Sequence, residues 1–158
     1  MFNGTLKVGL CLVVCLAVAA AASTSVGPAG PPEPGPKDRC ATCGMLVAKF
    51  PSWVASIVYV DGSHRFFDGP KDMFRFRALH HNDAADEAEI WVTDYYTTKA
   101  LPAHDAVYVL GSDVLGPMGP ELVPFASREL AESFREDHGG DAPLAFEQVD
   151  AAVLRSLD

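Results

Sequence analysis

The chain has 158 residues, 49% of them hydrophobic and 21% charged, which is the composition of a folded protein with one domain or two very small ones. Twelve Lys and Arg stand against 21 Asp and Glu, a formal charge of −9 with no basic cluster, and that excludes a nucleic-acid groove, which needs cations gathered along one surface.

The first 22 residues predict a signal peptide. Lys7 is their one charge, Val8 to Ala22 is an apolar run, and Ala20-Ala21-Ala22 before Ser23 offers small residues for cleavage. The run is short against the ~20 apolar residues of a membrane span. Cys11 and Cys15 follow Leu10 and Val14 rather than the small residue a lipoprotein site requires, so a membrane is expected only through an N-terminal anchor. Cleavage leaves two cysteines, Cys40 and Cys43, in an exported protein. Residues 23–37 carry five prolines and three glycines, an extended linker between the envelope and a folded head.

A first ββαβ unit is predicted over 38–98. Trp53 to Val60 is β-branched and aromatic, Asp61-Gly62 supplies a turn, and His64 to Phe67 returns as a second strand. Pro70 stands at the start of a helix whose apolar face is Met73, Phe74, Phe76 and Leu79. His80 to Glu89 reads as a polar loop, and Ile90 to Tyr96 as a strand.

The order recurs over 99–158. Ala106 to Leu110 is a strand, Gly111 to Gly119 a glycine-rich connection without regular structure, and Leu122 to Phe125 a returning strand. Ser127 caps a helix that runs to His138 and stops at Gly139-Gly140, and Leu144 to Val149 is the closing strand. Phe67 and Phe76 are nine residues apart, as are Phe125 and Phe134 in the same two roles, 58 positions on. The expected fold class is therefore α+β, two small related ββαβ units packed together, since neither buries a large core alone.

Chemistry concentrates in Cys40-Ala41-Thr42-Cys43-Gly44-Met45. Two thiols separated by two residues converge on one soft ion or close on each other, and the Met45 thioether adds a soft donor that suits Cu(I). No second CxxC or HxxxH pair completes a four-ligand zinc site, Gly44 stands where a c-type haem needs His, and the motif precedes a hairpin rather than a thioredoxin-like helix. Soft-metal binding and a disulfide, structural or redox, both remain open. A thiol-disulfide or organomercurial-lyase-like enzyme using Cys40 and Cys43 is the rival class, although no nucleophile with a base at recognisable spacing is present. His64, on the strand after the turn, is a candidate nitrogen ligand, and Met118, in Leu115-Gly116-Pro117-Met118-Gly119-Pro120, a candidate thioether. Met73 reads as core.

CxxCGM at 40–45, Tyr59-Val60-Asp61-Gly62, Arg65-Phe66-Phe67-Asp68, Gly116-Pro117-Met118-Gly119 and Pro124-Phe125-Ala126 occur in this order, and together they resemble the NosL family of copper-binding accessory proteins of nitrous oxide reductase. The resemblance covers Cys40 to Gly140. It implies an exported, often lipid-anchored Cu(I) chaperone of two ββαβ halves that supplies nitrous oxide reductase beside an ABC-type maturation complex. The family's Cys-x-Met ligand pair falls on Cys43 and Met45, with Cys40 a third ligand or a redox partner of Cys43.

Overall fold

The computed structural model describes Met1 and residues 30–158, with the backbone alone described at 81–83. The leader expected over 1–22 and the linker up to 29 lie outside the described residues. Among those residues no helix is long and apolar enough to cross a membrane.

Strands β1 (Ala55–Tyr59) and β2 (His64–Phe67) pair antiparallel with Val58 opposite His64, so four residues, 60–63, make the connection rather than Asp61-Gly62 alone. Helix α1 (Pro70–Leu79) follows, then a 3-10 turn at His81–Asp86 and strand β3 (Glu87–Thr93). β3 begins earlier than expected, because Glu87 and Glu89 still pair with β1 across a bulge at Val58/Tyr59. It also ends earlier, since Asp94 leaves the strand and accepts from the Thr97 N–H and hydroxyl to form a turn. Strand β4 (Ala100–Pro102), absent from the sequence reading, completes a sheet of order β2-β1-β3-β4.

The second sheet is built from β5 (Val107–Val109), β8 (Val123–Phe125) and β9 (Leu144–Ala145), in the order β8-β5-β9. β1 lies between β2 and β3, and β5 between β8 and β9, antiparallel to both neighbours in each case, while β4, from the span expected to form the second unit, extends the first sheet beyond β3. Helix α2 (Arg128–His138) stands between β8 and β9 in the chain, and the Ser127 hydroxyl accepts from the Leu130 N–H as an N-cap. The expected strand over 144–149 is a two-residue strand followed by a 3-10 turn, Phe146–Gln148, that buries the Phe146 ring against Phe74 at 4.9 Å. A last helix, α3 (Ala151–Arg155), capped by Asp150, was not foreseen.

The connection 111–119 also departs from expectation. Leu115–Gly116 (β6) and Gly119–Pro120 (β7) pair as a minimal ladder around Pro117-Met118. Proline fits the first corner of the turn, and Gly119, at φ +84°, adopts the left-handed backbone that closes it.

The paired phenylalanines fill equivalent places. Phe67 meets Phe76 at 5.3 Å and Phe125 meets Phe134 at 4.8 Å. Each helix phenylalanine also stacks on a histidine one turn later, His80 at 4.2 Å and His138 at 4.6 Å. The halves share a core, for Phe74 on α1 packs on Tyr108 of β5 at 5.3 Å, and Asp94 accepts from the Ala126 N–H at 2.9 Å.

Candidate metal centre

The cysteine loop is a tight wrap built on backbone hydrogen bonds. Cys40 N–H donates to Met45 O at 2.8 Å and Gly44 N–H to Cys40 O at 2.9 Å, with Gly44 at φ +80°, where a side chain would be strained. Ala41 N–H donates to Phe66 O at 2.9 Å, fastening the loop beside β2. The Thr42 hydroxyl donates to Asp72 O at 2.8 Å, fastening it to the first turn of α1. Cys40 is buried, and Cys43 half-buried beside it as a second free thiol.

Two carboxylates face these thiols. Asp68 follows β2 directly, and Asp72 lies in the first turn of α1, where a negative charge is favoured by the helix dipole. Both are buried. The Cys40 thiol donates to Asp72 Oδ2 at 3.3 Å, the Cys43 thiol to both oxygens of Asp68 at 3.4 Å, and the Cys43 N–H points at Cys40 Sγ at 3.5 Å. One ligand atom from each of the four side chains lies within 4.8 Å of the others. Arg75, one helical turn after Asp72, sits 3.9 Å from its carboxylate.

Burial is the main force pushing both thiols above their ordinary range, and the neighbouring carboxylates add to it. The arrangement therefore holds two protonated thiols against two buried acids. A cation that enters takes sulfur and oxygen donors together and releases thiol protons. Two added oxygen donors also remove the donor-count argument against zinc drawn from the sequence, since zinc accepts carboxylates; what favours Cu(I) is sulfur softness.

Met45 is half-buried at the end of the loop, two residues past Cys43, and its carbonyl takes part in the wrap. His64 stands apart from the four-residue group, exposed near the start of β2 with its ring on Phe66 at 4.9 Å. Met118 is 45% exposed at the β6–β7 turn, and its carbonyl accepts from Lys71 Nζ at 2.9 Å. Met73 is fully buried core, as expected.

Asp68 and Asp72 were not singled out as site residues from the sequence. They stand 25 and 32 positions from the thiols they meet, a separation that no local motif announces. Asp68 closes the run Arg65-Phe66-Phe67-Asp68, and Asp72 reads as an ordinary acidic residue at a helix start.

A small antiparallel α+β protein with thiols and carboxylates converging at one helix start is defined by this fold and this centre. The NosL family model matches residues 31–154, and the chain belongs to that family. It is similar to the copper-binding lipoprotein NosL of Stutzerimonas stutzeri, at 29% identity over 126 residues, 75% of this chain and 65% of that protein. It is similar also to the copper-binding lipoprotein NosL of Achromobacter cycloclastes, at 29% identity over 127 residues, 80% and 62% of the two lengths. The chain thus spans less than two thirds of these relatives. The crystal structure of the copper chaperone NosL from Shewanella denitrificans shares the fold, with a TM-score of 0.72 and 24% identity over 80% of this chain and 99% of that one.

Proposed function

We propose that the chain is an exported copper chaperone that takes up Cu(I) at Cys43 and Met45 with Cys40 as a third ligand, and hands it on for maturation of nitrous oxide reductase. The observation that carries the reading is the convergence of the two CxxC thiols, with Cys43 and Met45 of the same loop both half-buried. Soft donors match Cu(I), and a half-buried Cys43 leaves the ion within reach of an acceptor. The named copper binding of the relatives supports the cargo, and their lipoprotein names support an envelope location. Nitrous oxide reductase and an ABC-type maturation complex are the partners the family resemblance implies.

The test is Cu(I) binding by reduced protein against a competing chelator. Cys43→Ser is expected to abolish tight binding and Met45→Leu to weaken it; wild-type affinity in the double variant would refute the site. Delivery is read in a denitrifying host lacking the gene, whose reductase should be copper-poor at limiting copper and restored by added copper.

A further inference from the structure

Helix α1 starts without a cap of its own. The N-cap position is Gly69, which has no side chain, and Pro70 has no N–H, so the first donors needing a partner belong to Lys71 and Asp72. The partner comes from the other half of the chain. Glu121, buried just after β7, accepts the Lys71 N–H at 2.6 Å and the Leu122 N–H at 3.0 Å through Oε1.

Its carboxylate lies in a slot walled by two glycines. A Cβ on Gly69 would approach Glu121 Cδ to 3.0 Å, and one on Gly116 would approach Glu121 Cγ to 2.9 Å. Gly69 has an ordinary extended backbone, φ −168° and ψ 158°, so space and not torsion calls for glycine there. Lys71, also buried, closes the clasp by donating from Nζ to Met118 O at 2.9 Å and Pro120 O at 2.5 Å. The residues Glu121 touches are flanked by the two acids of the metal centre, Asp68 directly before Gly69 and Asp72 directly after Lys71.

We propose that Glu121 is a positioning residue for the metal centre, supplying the cap of α1 from the second half of the chain and thereby fixing Asp68 and Asp72 around Cys40 and Cys43. The role rests on the reading of that cluster as the copper site. It gives the second half of the chain, which carries no thiol, a direct part in the geometry of the first. Without the cap, the first turn of α1 frays, and the carboxylates lose their fixed approach to the thiols.

The test uses Cu(I) competition with bathocuproine disulfonate on the reduced protein, together with amide exchange at Lys71 in the metal-free protein. Glu121→Ala is expected to weaken Cu(I) binding by about tenfold and to lose Lys71 protection, the size set by one helix cap. Gly69→Ser in the Glu121→Ala background should restore both, because the serine fits the vacated slot and its hydroxyl caps the helix locally. The conservative Glu121→Gln keeps a carbonyl acceptor and is expected to stay near wild type. Phe134→Leu, at a buried position of α2 packed on Phe125, should lower thermal stability and leave copper affinity alone. Should Glu121→Ala not fold, Glu121→Asp, whose carboxylate is one methylene short of Lys71, is read in its place. Wild-type affinity in the capless variant, a failure of Gly69→Ser to rescue it, or an equal loss in Phe134→Leu would each overturn the positioning role. Undiminished Cu(I) affinity in Cys43→Ser would instead overturn the copper site itself.

Discussion

At the scale of single residues, the candidate centre brings two free thiols together. Their proximity, with Cys40 Sγ 3.5 Å from the Cys43 N–H, makes disulfide closure accessible outside the reducing cytoplasm, and a disulfide offers copper no thiolate. Oxidised protein is therefore expected to lose tight Cu(I) binding and to regain it after treatment with a thiol reductant; unchanged affinity with both thiols shown to be oxidised would remove the cysteines from the ligand set. The two thiols that converge were legible because they sit three positions apart in one short motif. Asp68 and Asp72 were not, because their chemistry depends on being folded against partners far along the chain, and a lone aspartate in sequence carries no sign of that. His64 and Met118, the other two candidate ligands, lie exposed at the start of β2 and at the β6–β7 turn.

At the scale of elements, what could be read was what carries a local signal. The β1–β2 hairpin shows β-branched and aromatic residues around a turn, and α1 behind Pro70 and α2 behind Ser127 show helical spacing and capping chemistry. The β6–β7 ladder and α3 are too short to show a period, and they exist because the surrounding fold holds them. The cap of α1 by Glu121 was equally invisible, since donor and acceptor stand 50 positions apart. That cap has a signature in pH. Burial pushes the Glu121 carboxyl from 4.5 up to about 7, outweighing the two N–H donors and the nearby Lys71, which pull it down. The folded chain thus keeps a proton that the unfolded chain releases. Its contribution to stability is complete below about 4.5, shrinks as pH rises, and is gone above about 7. Comparing wild type with Glu121→Gln by denaturant unfolding, the wild type should lose stability relative to the variant across this window, by a few kcal/mol at most. A difference that stays flat from about pH 4 to about pH 8 would show that Glu121 does not titrate there.

At the scale of the molecule, the four-stranded and three-stranded sheets are joined by residues that each half sends into the other, and the aromatic residues show how. Phe74 leaves α1 of the first half to meet Tyr108 and Phe146 of the second, while Trp53 and Tyr95, from the first half, pack into the core formed by Val109, Val123, Phe125 and Phe134. Neither half can separate without opening apolar surface in both, so partial unfolding of one is uphill by the burial the other loses. The two tryptophans report on the two places, Trp91 from β3 and Trp53 from the second core. Single-tryptophan variants are expected to melt together, coincident with the loss of helical circular dichroism. Phe74→Ala should lower that common transition by about 3–5 kcal/mol, the usual cost of emptying a buried phenylalanine site, without splitting it. If Trp53 and Trp91 reported separate midpoints, the halves would be independent, and a cap sent by Glu121 from one to the other could not hold the metal centre through the range in which the protein works.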